Sequence, residues 1–454
     1  MQTVNDQLGT MPIGKLLFKF SIPAIGGMIV NSLYNLVDRI FIGRIDSLAM
    51  TGIGLSLPFI ILISAVISLV GIGASAIISM RLGQNRKEDA ERVIGNAVSL
   101  LAVLMLMVTI IGLIFKIPIL NIFGASNATI GYASKYITII LYGTVFQGIG
   151  TGLINIIRAE GSPYKTMIII VVGTVLNIIL DPILIFTFNM GIAGAAWATI
   201  ISQLVASVLI ISHFLSKKSK LKLQRKNLKF NIAAIKDILS IGFSPFVMQL
   251  AAVIVSIILN NSLREYGGDI AIGAMTVIHS IMVLFLMSAM GITQGAQPII
   301  GYNYGAERFD RVKKTLQLEL ISISAICILT FIMVQFFSTA LASIFSNNQE
   351  LIDVSSNGMR IFLIMLPLVG AQIVGASYFQ AIGEAKKATF LGLLRQVIML
   401  IPMLLILPNF FGLMGIWAAG PVSDFVSCIF AALILMREMR KLGKKELKLV
   451  INYN

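Results

Sequence analysis

Stretches of roughly 20 apolar residues recur along the whole chain. Each is long enough, at about 1.5 Å per residue, to cross a hydrocarbon core of about 30 Å. Twelve are read from the sequence, at about 16–42, 51–80, 93–115, 132–157, 166–188, 191–214, 238–260, 272–301, 316–337, 354–380, 389–407 and 413–436. Composition agrees: 57% of the residues are apolar and 12% charged, against about 25% charged in an ordinary soluble protein. The expected fold is an all-α membrane protein of twelve spans.

The second half repeats the first about 222 residues later. Pro23 falls on Pro245, Gly73-Ala74 on Gly295-Ala296, Gly83 on Gly305 and Gly161 on Gly383; after a one-residue slip, Gly191 and Gly194 fall on Gly412 and Gly415. The acids are not repeated, since Asp38 meets Asn260 and Asp181 meets Pro402. Two six-helix bundles are therefore expected, related by a pseudo-two-fold axis along the membrane normal, with ion chemistry in the first. The polar stretch from Ser216, containing KKSKLKLQRKN, divides them. The expected organisation is a first lobe over 1–215, a basic linker over 216–236 and a second lobe over 237–454.

A net charge of +15 would suggest a nucleic-acid partner in a soluble protein, but its placement here gives another reading. In the twelve-span arrangement 29 of the 35 basic residues lie on one side and 6 on the other. The positive-inside rule puts both termini in the cytoplasm of a plasma or inner membrane and leaves no nucleic-acid role. The linker's charge also suits anionic headgroups. The first apolar segment is full length and reads as a span rather than a removable signal. Cys327 and Cys428 both lie within spans, which implies structural thiols and no disulfide framework.

Polar residues inside the spans form stripes at helical spacing. Asn31, Tyr34, Asn35 and Asp38 share one face of the first span; Gln147, Thr151 and Asn155 follow in the fourth, Asn177 and Asp181 in the fifth, Thr199 and Gln203 in the sixth. Counted from the outer ends of their spans, Asp181 and Thr199 are roughly 10–12 Å deep. Asp38 lies about five residues from its own span end. This all-oxygen set suits a hard cation such as sodium. Carboxylates at that depth also take up protons, because desolvation disfavours the anion. Pro182 frees the Ile178 carbonyl and can bend its helix. Two plainer readings stand beside these: Asp181-Pro182 as a helix N-cap and break, and Asp38 as a solvated acid beside Arg39.

In the second half the stripes are uncharged, with Gln249, Ser256 and Asn260 in the seventh span and Gln294 and Gln297 in the eighth. Asp424 reads as the one acid well inside that half, either structural or functional. His279 is expected to make a packing contact, and Arg395 to snorkel toward headgroups. The chain has no metal-ligand cluster, nucleophile elbow or P-loop. An enzyme or an ATP-driven pump is therefore not expected, and no cofactor is implied beyond a coupling ion.

The segments NSLYNLVDRIFIG at 31–43, RAEGSP at 158–163, LNIILDPILIF at 176–186 and QGAQPIIGYNYGA at 294–306 resemble the multidrug and toxic compound extrusion (MATE) transporters. The likeness spans essentially the whole chain. It implies an efflux transporter, acting as a monomer, that exchanges cytoplasmic organic cations or amphiphilic drugs for incoming sodium or protons by alternating access. Position by position, Asp38, Asn177, Asp181 and Thr199 match the first-lobe cation site of such proteins. Members with a second-lobe cation site use acids in the seventh and tenth spans, where this chain has Gln249 and Gln372, so it resembles the branch coupled through the first lobe. Asn31, Tyr34 and Asn155 are candidate substrate-lining residues, and Pro23 and Pro182 candidate hinges. A flippase or exporter of a lipid-linked or other amphiphilic metabolite from the same superfamily is the alternative. It would need a basic cavity for phosphate, and the spans hold almost no Lys or Arg. A major-facilitator transporter is disfavoured because the second loop, RLGQNRKEDAERV, lacks that family's Gly-x-x-x-Asp-Arg/Lys pattern.

Overall fold

The computed structural model describes residues 4–43, 47–123, 125–127, 129–217 and 219–453. Among them there are helices and no strands. In chain order they are α1 (Val4–Thr10), α2 (Ile13–Gly43), α3 (Ser47–Gly83), α4 (Lys87–Ile122), α5 (Ile130–Ala159), α6 (Pro163–Pro182), α7 (Ile192–Leu215), α8 (Ile232–Gly305), α9 (Phe309–Ser343), α10 (Gln349–Phe362), α11 (Leu366–Ala381), α12 (Ala385–Leu393), α13 (Ile401–Phe411) and α14 (Leu413–Tyr453). One π turn, Ile183–Thr187, follows α6, and another, Leu394–Leu400, joins α12 to α13.

Eleven helical segments are long and apolar enough to cross a membrane. α8 supplies two of them, broken at Gly268, whose φ of 63° and ψ of −162° are open to glycine and strained for other residues. The tenth expected span is not one rod. It is the pair α10 and α11, bent by 58° where the chain passes through Leu363–Met365 ahead of Pro367. Proline has no N–H to continue the ladder, so the bend sits where the sequence permits it.

The repeat recurs in backbone conformation. Gly191 (φ 57°, ψ −134°) and Gly412 (φ 56°, ψ −137°) precede α7 and α14 in the same geometry. Asn85 and Glu307, with φ of 58° and 56°, turn the chain ahead of α4 and α9, and Gly161 and Gly383 also have positive φ.

The chain forms two compact units: residues 1–8 with 22–246, and residues 9–21 with 247–454. By packing, one division between them falls within α8, after Phe246. Both crossings, at Ile22 and after Phe246, adjoin the repeat-related prolines Pro23 and Pro245. In the first unit α5 packs against α3, α4 and α7. Gly73 there lets α3 meet the backbone of Ile238, at the start of α8, where a Cβ would overlap it. In the second unit the repeat-related Gly295 does the same against Ser21, where a Cβ would lie 2.8 Å from the backbone nitrogen. Residues 9–21 are further held by Arg308, which donates to the Gly9 carbonyl at 2.6 Å, and Arg311, which donates to that of Met11 at 2.7 Å. The core of this unit gathers Ile278, Met359, Phe362, Ile416 and Trp417.

The basic linker is no free tether. Glu160, buried at the end of α5, accepts from the Lys220 backbone N–H (2.8 Å), Ser219 Oγ (3.0 Å) and His213. Glu91, buried in α4, accepts from the Lys222 N–H (3.0 Å) and the Gln224 amide (2.8 Å). Asn96 accepts from the Asn231 N–H (2.7 Å), and Asn231 in turn caps α8 through the Ala234 N–H (3.0 Å). Leu221 is fully buried beneath these bonds.

Candidate cation-coupling site

α6 carries Asn177 and Asp181 one turn apart, on one face. Both are buried, Asp181 completely, and Thr199 of α7 is buried with them. Oriented to satisfy both its ends, the Asn177 amide donates to Asp181 Oδ2 at 2.8 Å and accepts from the Thr199 backbone N–H at 3.1 Å. The Thr199 hydroxyl lies 3.5 Å from the same amide. Asp181 Oδ1 has no hydrogen-bond partner among the described residues. An anionic oxygen in that position, cut off from water, strongly favours a cation or a proton beside it.

α2 brings the second carboxylate. Asp38 is half-buried, with one oxygen shielded from solvent, and close enough for the two carboxylates to interact electrostatically. Its helix is fastened near this level by Phe41, whose ring meets Phe186 edge-on at 6.2 Å. Phe186 lies in the π turn that follows Pro182. Proline denies the Ile178 carbonyl its usual helical partner, and π turns are frequent where helices carry functional groups. The N-cap reading of Asp181-Pro182 fails locally, because α6 runs through Asp181 and ends at Pro182.

Asn177, Asp181 and Thr199 are therefore brought together, with Asp38 of α2 within electrostatic reach of Asp181. The expected lining residues are not gathered with them. Asn155 is half-buried and accepts from Arg158 at 3.3 Å. It stands near the end of α5 that leads into α6, whereas Asp181 is at the far end of α6, about 27 Å along the helix at 1.5 Å per residue. Asn31 is exposed on α2, and the side chain of Tyr34 lies outside the described residues. Pro23 is buried within α2, which stays helical through it.

Several expectations for the second half are corrected. Arg395 does not snorkel; it is ion-paired with Asp424 inside the unit. The eleventh span begins at Ala385, earlier than the apolar run suggested, which places Arg395 deep. Asp424 is not the only buried acid there: Glu319 of α9 is fully buried, and neither of its carboxylate oxygens has a partner among the described residues. His279 is exposed rather than packed inside the unit. Gln372 donates to the Leu391 carbonyl at 3.4 Å. The cysteines are buried free thiols. Sequence reading also missed the Glu160–His213 contact of 3.1 Å. Glu160 lies in the quoted RAEGSP segment, but nothing there indicates that its partners come from some 60 residues on.

A family model described as MatE matches the chain twice, over residues 23–183 and 245–405. The chain is similar to the multidrug export protein MepA of Staphylococcus aureus, 28% identical over 430 residues and 94% of each chain. It is also similar to MepA of Staphylococcus saprophyticus, 28% identical over 95% of this chain and 96% of the relative. Among solved structures, an outward-facing multidrug resistance MATE family transporter of the MOP superfamily superposes with a TM-score of 0.91 at 25% identity, over 98% of this chain and all of the other. A MOP superfamily transporter from Pyrococcus furiosus, described as having a binding pocket of reverse polarity that suggests a different function, superposes equally well. Both halves of the chain match the family's repeated helical domain and nearly its whole length matches its structures, so this protein belongs to the MatE family of membrane transporters and is not an enzyme.

Proposed function

We infer that this protein exports amphiphilic organic cations and drugs from the cytoplasm in exchange for inward sodium or protons. The similarity to MepA, named a multidrug export protein, supports the substrate class. The observation that carries the coupling is the buried Asp181 carboxylate, one oxygen held by Asn177 and the other unmet, within electrostatic reach of Asp38. Two acids so placed repel each other, and a bound cation or proton relieves that repulsion. Asp181 Oδ1, an Asp38 oxygen and the Thr199 hydroxyl are the available sodium ligands. Asn177, as oriented, presents its nitrogen to Asp181, so it joins a sodium shell only by turning its amide over. Proton uptake needs no such turn.

Alternating access then follows from coupling the site's charge to helix packing. Neutralising the carboxylates changes how α2 lies against α6 and the π turn, with Pro23 and Pro182 as the bending points. Inward movement of each cation contributes about 2.3 kcal/mol per 100 mV of membrane potential. In this reading the protein works as a monomer in a plasma or inner membrane, and the asymmetry of basic residues supports cytoplasmic termini. Against the flippase reading, Arg395 is neutralised by Asp424 and offers no free charge for phosphate.

The test is reconstitution in liposomes with dye movement followed under a sodium gradient and, separately, a pH gradient. Asp38→Asn and Asp181→Asn are each expected to abolish gradient-driven export while the protein stays folded. Undiminished driven export in both variants would overturn the assignment.

A further inference from the structure

A charge pair joins two spans of the second unit at mid-depth. Arg395, in the π turn Leu394–Leu400, donates through Nε to Asp424 Oδ1 on α14. The Asp424 side chain is 7% exposed and that of Arg395 25%. Arg395 is ten residues into its span from Ala385 and Asp424 eleven into its own from Leu413. Entering from opposite faces, each reaches about 15 Å, near the middle of a core of about 30 Å. Ionised groups at that depth are costly and persist when paired or functional.

The first unit has the corresponding helix pair without the charges. At the repeat interval Arg395 falls on Gly173 or Thr174, and Asp424 falls on Gln203. The same surfaces meet, since a Cβ at Gly173 would lie 3.7 Å from the Ser202 carbonyl oxygen. The first unit keeps Asp181 fully buried, with one carboxylate oxygen lacking a partner among the described residues. In the second unit Asp424 is a buried carboxylate whose cation comes from its own chain, while Glu319 of α9 is buried with neither oxygen partnered among the described residues. Gln396, next to Arg395, has a buried amide oxygen with no partner among the described residues. The titratable group bearing directly on the pair is the buried thiol Cys428 of α14, which in turn interacts with that of Cys327 of α9. Glu438 of α14 and Lys387 of α12 pair with each other farther along.

We propose that Arg395 is a tethered counter-ion that permanently occupies Asp424 and bars that carboxylate from binding the exchangeable cation. Without the guanidinium, Asp424 becomes a site for a monovalent cation or a proton. The inference rests on the first unit being the coupling site. At this position the second unit then lacks an ion site because of an internal ion rather than because a carboxylate is absent.

The experiment is thermal unfolding of the purified protein, because a ligand bound to the native state raises the unfolding temperature by mass action. Sodium is titrated against choline at fixed pH, and pH is varied at fixed sodium, to distinguish the two ions. Asp38→Asn/Asp181→Asn is expected to abolish the ion-dependent shift of the wild type. Its persistence, insensitive to Asp424→Asn, would refute the first-unit reading instead. Adding Arg395→Gln to the double variant is expected to restore a saturable shift, and further adding Asp424→Asn to remove it. A folded Arg395→Gln variant with no restored shift overturns the proposal. So does an ion-dependent shift in the double variant with Arg395 intact that Asp424→Asn abolishes, an arm that does not require Arg395→Gln to fold.

Discussion

Asn177 donates its amide to Asp181 Oδ2 at 2.8 Å and so occupies one oxygen of a carboxylate that has no exposed surface. The bond spans one turn of α6, and the other end of the amide reaches the Thr199 backbone in α7. One side chain thus sets the position of the acid and the spacing of two helices.

Replacing Asn177 with Leu removes both bonds at similar volume. Leaving a buried acceptor unmet costs about 1–3 kcal/mol. The variant is expected to unfold at lower temperature and to lose driven export, while Asn177→Gln, too long for the gap, recovers neither fully. Unfolding curves and dye export in liposomes measure the two effects.

Gly191 and Gly412 sit at φ near +57° with strongly negative ψ. A Cβ is unfavourable in left-handed backbone by roughly 1–2 kcal/mol per residue. Gly191→Ala and Gly412→Ala are expected to destabilise by comparable amounts, each at least of that order, because the same turn is used twice. Denaturant midpoints of the two variants, compared side by side, check this.

Glu160 ties down the linker through the Lys220 N–H, Ser219 and His213. Glu160→Ala is expected to expose the basic segment from Lys220 to Lys229 to trypsin, since bonded backbone resists the extended conformation that a protease needs. Limited proteolysis followed by mass spectrometry should show faster cleavage there than in the wild type. Equal rates would mean that Glu91 and Asn96 hold the strap alone.

Pro182 stands between Asp181 and the π turn. Pro182→Ala restores an N–H for the Ile178 carbonyl and favours a straight helix. Export is expected to slow several-fold, while the ion-dependent rise in unfolding temperature survives. Parallel transport and unfolding assays separate the two.

Much of this was legible in the sequence. Span number follows from apolar length, because a bilayer sets one dimension that each helix must meet. The duplicated lobes follow from glycines and prolines at a fixed interval, because those residues mark backbone conformations that others adopt poorly. Asp38, Asn177, Asp181 and Thr199 stand out in the sequence as candidates because polar groups in lipid are costly and helical spacing shows which ones on a helix share a face.

Only the tertiary structure decided which polar groups are paired. Arg395 and Asp424 are 29 residues apart in sequence and Glu160 and Lys220 are 60 apart; spacing along one helix carries no information about partners across two. The same holds for the linker, whose composition reads as a basic segment suited to lipid headgroups and does not show that Glu91, Asn96 and Glu160 bind its backbone. It also holds for the unit boundary, which lies at prolines inside helices because packing, not chain order, determines which segments share a core.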